Sequence, residues 1–185
     1  MKFGYNGSFA ATPAGLVAAT LTSDTVADDP TDGSCSTTAP NAKSYPVSIP
    51  SGTVYARFAL FDADVNAGSD IDLCVYAGTT LVGLSASGTS AEEVILKSPS
   101  AGSYTVVVHG WGVAGSSPFT LNAWIVGNSA AGNMAVTAPD AASIGGSGQV
   151  GLGFSGLAAG TRYTGAVTYS GSGGMPTTLV KITTP

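Results

Sequence analysis

Five oxygen-bearing side chains crowd into one short stretch of this chain: Asp62, Asp64 and Asn66, then Asp70 and Asp72. Hard cations such as Ca2+ take six to eight oxygen ligands in flexible geometry, and an acidic loop with its two strand ends offers donors of that kind. The spacing is not that of an EF-hand, because the sixth position counted from Asp62 is Ala67 rather than Gly and the twelfth is Leu73 rather than Glu. A Ca2+ site and a solvated acidic turn are both compatible with these residues. General acid or base chemistry would rest on His109, the single histidine. On a regular strand it shares a face with Val107 and Trp111. A strand-end imidazole hydrogen-bonded to backbone is the expectation, with ligand contact as the alternative. Tyr76, Trp111 and Trp124 fall on the parity opposite the expected core or near a loop. Exposed in a row they would suit a flat polymer, whereas packed at a domain joint they would be structural, and packing is the preferred reading. Cys35 and Cys74, 39 positions apart without metal-type spacing, suggest one disulfide worth roughly 3–4 kcal/mol, two separate buried thiols being the other possibility.

Strands must position these groups. The 185 residues are 44% hydrophobic, only 9% charged, and include 26 glycines. That is too apolar for disorder, and the wealth of Thr, Val, Gly and Ser favours short strands and tight turns, so an all-β chain is expected. A formal charge of −5 with six scattered Lys and Arg excludes a phosphate-backbone partner, so nucleic acid is not expected. No apolar run approaches the ~20 residues of a membrane helix, so no membrane partner is expected either. Gly4, Asn6, Gly7, Ser8 and Pro13 break up any signal-peptide core, and such a peptide is expected in a longer precursor.

Residues 1–26 read as a hairpin with turn signals at Asn6-Gly7 and Pro13, followed by an acidic loop, Asp28 to Gly33. Between Tyr45 and Val126 the runs YPVSI, VYARFALF, DIDLCVYAG, TLVGLSA, AEEVILKSP, GSYTVVVHGW and PFTLNAWIV alternate with Gly, Pro and Ser turns, as in a β-sandwich. Alternation places Ile71, Leu73 and Val75 on the core face and Asp72, Cys74 and Tyr76 on the other. After a small-residue joint at 127–132 come four more strands, MAVTAP, GQVGLGFSGL, TRYTGAVTYSG and TTLVKITT, with a turn at Gly171 to Gly174. Four strands alone would leave one apolar face wet, so the N-terminal hairpin is expected to pack with residues 133–185.

The pairing of DIDLCVY at Asp70 to Tyr76 with AGSYTVVVHGW at Ala101 to Trp111 resembles the bacterial pre-peptidase C-terminal (PPC) module, a jelly-roll-like sandwich carried behind secreted proteases. GLAAGTRYTGAVTYSG, Gly156 to Gly171, is similar to the fibronectin type III-like segment that follows this module in some subtilisin-like proteases, and Thr25 to Pro30 and Ser87 to Val94 also match such relatives. The resemblance implies a PPC-like sandwich at 27–127 and a smaller immunoglobulin- or fibronectin III-like sandwich at 133–185. It further implies a secreted, non-catalytic accessory region whose partner is the catalytic domain of the parent protease. Some relatives bind calcium. An independent module recognising polysaccharide or fibrous protein is the competing expectation. Gly88-Thr89-Ser90-Ala91 and His109 to Gly115 are similar to subtilisin nucleophile and histidine motifs. However, their order is reversed, no helix pattern follows either, and Glu92 stands where a small residue is needed, so catalysis by this chain is not expected.

Overall fold

The computed structural model describes residues 1–171 and 174–185. The strands are β1 (Gly7–Ala18), β2 (Thr20–Ala27), β3 (Lys43–Ile49), β4 (Thr53–Ala59), β5 (Asp70–Ala77), β6 (Thr80–Ser85) and β7 (Glu93–Lys97). They continue with β8 (Gly102–Gly112), β9 (Ser116–Gly127), β10 (Met134–Thr137), β11 (Ala141–Ala142), β12 (Gly151–Phe154), β13 (Arg162–Gly171) and β14 (Thr178–Thr183). Helix is confined, among the described residues, to one 3-10 turn at Asp62–Asp64. The chain is all-β, and it divides into two compact units, 20–125 and 1–19 with 126–185.

Residues 20–125 form two four-stranded antiparallel sheets, ordered β2-β9-β4-β7 and β3-β8-β5-β6. First strand pairs with last, second with seventh, third with sixth and fourth with fifth. This is a hairpin rolled up on itself, the jelly-roll arrangement of a sandwich. The core between the sheets is supplied by every second residue of each strand: Ile71, Leu73 and Val75 from β5, Val106 and Val108 from β8, Phe58 from β4, Phe119 and Leu121 from β9. Period-two patterning is what buries one face of each sheet.

In the other unit β1 lies between β11 and β13 in a sheet completed by β14, and β10 pairs with β12 in a separate ribbon. Met134 and Val136 of that ribbon pack on Leu16, Tyr163, Val167 and Val180. A second cluster gathers Phe3, Phe9 and Ala142 with Tyr5 and Tyr169.

The N-terminal hairpin expected over 1–26 is not formed. Gly7–Ala18 is one strand running straight through Pro13, and Thr20–Ala27 pairs with β9 in the other unit. Proline is tolerated there because β11 covers only Gly7 and Ser8, so at Pro13 the strand is a sheet edge with no N–H needed. The turn expected at Gly171 to Gly174 includes Ser172 and Gly173, which lie outside the described residues.

Candidate functional site

The outer face of the β5–β8 pair carries the chemistry. Register sets Asp72 opposite His109, Cys74 opposite Val107 and Tyr76 opposite Thr105. These are the alternate positions left over once Ile71, Leu73 and Val75 turn inward. The face is covered by the segment after β2. Cys35 is joined to Cys74 in a disulfide with a Cα–Cα distance of 6.2 Å, and Tyr76 donates its hydroxyl to the Cys35 carbonyl at 3.2 Å. The Asn41 side chain donates to the Asp28 carbonyl at 2.6 Å, and the Val113 N–H donates to the Asp28 carboxylate at 2.8 Å. Asp29 donates its own N–H to the Gly110 carbonyl at 2.8 Å. A Cβ on Gly110 would stand 2.5 Å from the Ala27 carbonyl oxygen, so only glycine lets the covering segment approach this closely.

That cover buries a histidine–carboxylate pair. His109 and Asp29 are both fully enclosed, with Nε2 2.9 Å from Asp29 Oδ2. Asp29 Oδ1 accepts the Thr31 N–H at 2.9 Å and the Thr31 hydroxyl at 2.7 Å, an Asx turn that presets the carboxylate. Burial pushes the Asp29 carboxyl up, but the Thr31 hydroxyl, His109 and the Thr31 N–H outweigh it and bring it down to about 2. An ionised carboxylate only accepts, so Nε2 carries the hydrogen. The other ring nitrogen, Nδ1, faces Asp72 Oδ2 at 3.5 Å and has no hydrogen-bond partner.

Beyond Asp72 the surface opens. A β-bulge between Asp70 and Ile71 sets Asp70 against Gly112 and Ile71 against Gly110, which leaves Trp111 as the extra residue and throws it outward, 43% exposed. Trp111, Asp70, Asp72, Ala86, Ser87 and Gly88 line a recess of about 270 Å3. Glu92, buried behind Ser87, accepts hydrogen bonds from the Ser85 and Ser87 hydroxyls and from the Ser87 N–H at 2.7 Å. Burial raises the Asp70 carboxyl, and the nearby Glu92 charge adds to the rise. Burial likewise raises Asp72, with Asp70 and Glu92 pushing the same way against the pull of His109.

The residues singled out in the sequence are thus distributed differently from expectation. His109 is bonded to a carboxylate 80 positions away, not to backbone. Sequence reasoning missed Asp29; the local Asp-x-Thr signal of an Asx turn was its only trace. The aromatic row does not exist, because Trp124 is fully buried beneath the Arg57 guanidinium, 4.0 Å from its ring centroid, and Tyr76 is half-buried. Trp111 alone of the three stands out. The five oxygen donors do not line one recess. Asp62 and Asn66 line a recess of about 390 Å3 with Val65, Gly88 and Thr89, Asp70 and Asp72 line the other, and Asp64 lines neither. Asn66 is tied down, its side-chain amide donating to the Ser116 carbonyl at 3.1 Å. Among the described residues no group of three or more His, Cys, Asp or Glu is placed to hold a metal ion. Ser90 is fully buried, donating to the Ser69 carbonyl at 2.8 Å and accepting the Ile71 N–H at 3.1 Å; it clamps the start of β5. No hydrogen bond joins Ser90 to His109 among the described residues.

No protein-family model matches the chain, and no curated protein matches it in sequence.

Proposed function

We propose that this chain is a non-catalytic accessory region of a secreted subtilisin-like serine protease, serving to stabilise the parent, assist its maturation or hold it near substrate. The observation that carries this reading is the state of the two groups with catalytic potential. The Ser90 hydroxyl and the His109 imidazole are each wholly enclosed and bonded into the framework, where neither has access to a scissile carbonyl. The disulfide at Cys35–Cys74 fits an oxidising compartment. The sequence phrases shared with PPC and fibronectin III-like segments supply the protease context. The test is casein hydrolysis by the isolated chain with and without a serine-directed reagent, paired with binding to a subtilisin-like catalytic domain. Absence of hydrolysis with saturable binding is expected; reagent-sensitive hydrolysis would overturn the reading.

A second reading, an independent binding module for polysaccharide or fibrous protein, draws on Trp111, which the bulge holds out at the mouth of the acidic recess. Pull-down on insoluble chitin, cellulose, collagen and keratin separates the two. Retention on one polymer with no affinity for the catalytic domain favours the module. Ca2+ on the acidic stretch remains part of the proposal only through Asp62 and Asn66 or through Asp70 and Asp72 separately, each pair short of a full oxygen shell.

A further inference from the structure

We infer that the recess walled by Asp70, Asp72 and Trp111 is a binding site for a cationic side chain, the ammonium or guanidinium of a lysine or arginine presented by another polypeptide. Two carboxylates alone would not make a site. The independent observation is that the only two buried side-chain polar atoms left without a hydrogen bond among the described residues, Asp70 Oδ1 and His109 Nδ1, both belong to this one corner. His109 is fully buried and aims its orphan nitrogen at Asp72, which is itself only 5% exposed yet lines the recess. The neighbouring acids are already satisfied: Asp29 takes three hydrogen bonds and Glu92 is held by Ser85 and Ser87. Asp70 and Asp72 are the two that line the recess, Asp70 with an enclosed Oδ1 that has no partner and Asp72 with only His109 Nδ1 facing it at 3.5 Å. Such groups are costly to leave unmade in a partly enclosed setting, and a charged donor is what they lack.

The remaining wall selects the kind of cation. A hard metal ion needs six to eight oxygens, and this lining offers few beyond two carboxylates. The exposed indole of Trp111 attracts a weakly hydrated organic cation over its face and packs against an alkyl stem. The ammonium or guanidinium head then donates to Asp70 and Asp72. None of the chain's own six Lys and Arg lines the recess. The inference stands on the geometry of this recess alone, so its failure leaves the accessory reading in place.

The experiment titrates the intact, disulfide-bonded chain with Nα-acetyl-arginine methylamide, with Nα-acetyl-lysine methylamide and with Ca2+ alone, following the two indole N–H signals by NMR. The expected result is a saturable shift of Trp111 with either amide, a silent Trp124, and weakening of about tenfold or more in Asp72→Asn and in Asp70→Asn, the cost of losing one charged hydrogen bond. Both variants replace oxygen by a near-isosteric amide, and an unmoved Trp124 signal verifies folding. A Trp111 signal indifferent to both amides, binding that survives the paired Asn replacement, or Ca2+ displacing the amides at lower concentration would overturn the proposal.

Discussion

Replacing Cys35 and Cys74 together by alanine removes the clamp that holds the covering segment over His109. The bridge closes a loop of 39 residues in the unfolded chain. Loop-closure entropy for that span is about 13 cal/mol/K, or about 4 kcal/mol at 25 °C. The 20–125 unit is of order 100 residues, with an unfolding entropy near 0.2 kcal/mol/K, so its midpoint should fall by about 15–20 °C. Tryptophan fluorescence is a suitable assay, because Trp111 and Trp124 are the chain's two tryptophans and both lie in that unit. Wild-type chain reduced while unfolded and then refolded is the control that separates the missing cross-link from the missing sulfur atoms. A second readout is acylation of His109 by diethyl pyrocarbonate, slow in the bridged chain and faster once the cover is freed. A midpoint drop below about 5 °C would refute the reasoning, since the unfolded chain would then be losing no freedom to the bridge.

Acid titration should separate the carboxylates by sign. Asp29 lies near 2 when folded against an ordinary value of 3.8, so its contribution to stability is complete above pH ~4 and is lost as pH falls toward 2. Asp29→Asn should abolish that acid limb, as followed by unfolding midpoints between pH 2 and 5. Asp72 is shifted upward, so the folded chain holds its proton more tightly and stability declines as pH rises from 3.8 through the raised value. Asp72→Asn should therefore gain on wild type as pH goes from 4 to 7, and parallel stability curves would contradict the assignment. Gly110→Ala forces a Cβ to within 2.5 Å of the Ala27 carbonyl and should cost about 1–3 kcal/mol in a urea melt, with faster His109 acylation. Trp111→Ala should leave stability within ~0.5 kcal/mol while Trp124→Ala costs about 3–5 kcal/mol; equal effects would mean that the burial of the two rings is misjudged.

The sandwich was legible because its information is local. In β5 the alternation Ile71, Leu73, Val75 against Asp72, Cys74, Tyr76 states both faces, and the register with β8 follows from it. The paths of β1 and β2 were not legible. Pro13 reads as a turn unless the strand is known to be an edge, and edge status is set by how short β11 is. The site was half legible for a related reason. Sequence proximity groups Asp62 with Asp72, but the Ser90 clamp starts β5 at Asp70, and from there Asp72 faces His109 and shares a recess with Asp70 while Asp62 stays on an exposed turn. His109 and Asp29, 80 positions apart, share no period. The burial of Trp124 was hidden too. It sits on the face of β9 away from the sandwich core, where parity alone predicts solvent, and Arg57 from β4 covers it.

A sandwich with so few charges has little reason to bury Asp29, Asp72, Glu92 and His109 in one corner beside a half-buried Asp70, unless each has a partner. Two circuits close within the chain: Thr31, Asp29 and His109 Nε2 form one, Ser85, Ser87 and Glu92 the other. Closed circuits of this kind fix a loop in place and are expected to be rigid. The remaining groups close no circuit: His109 Nδ1 only faces Asp72 at 3.5 Å, Asp70 Oδ1 has no partner, and Asp70 and Asp72 both line the recess. Because desolvated negative groups repel one another at this corner, a cation seated there relieves Asp70 and Asp72 at once, and its binding should stabilise the fold by mass action. The melting midpoint of the intact chain should accordingly rise with saturating arginine amide and stay fixed in the paired Asn variant. A rise of the same size in both would place the amide elsewhere on the surface.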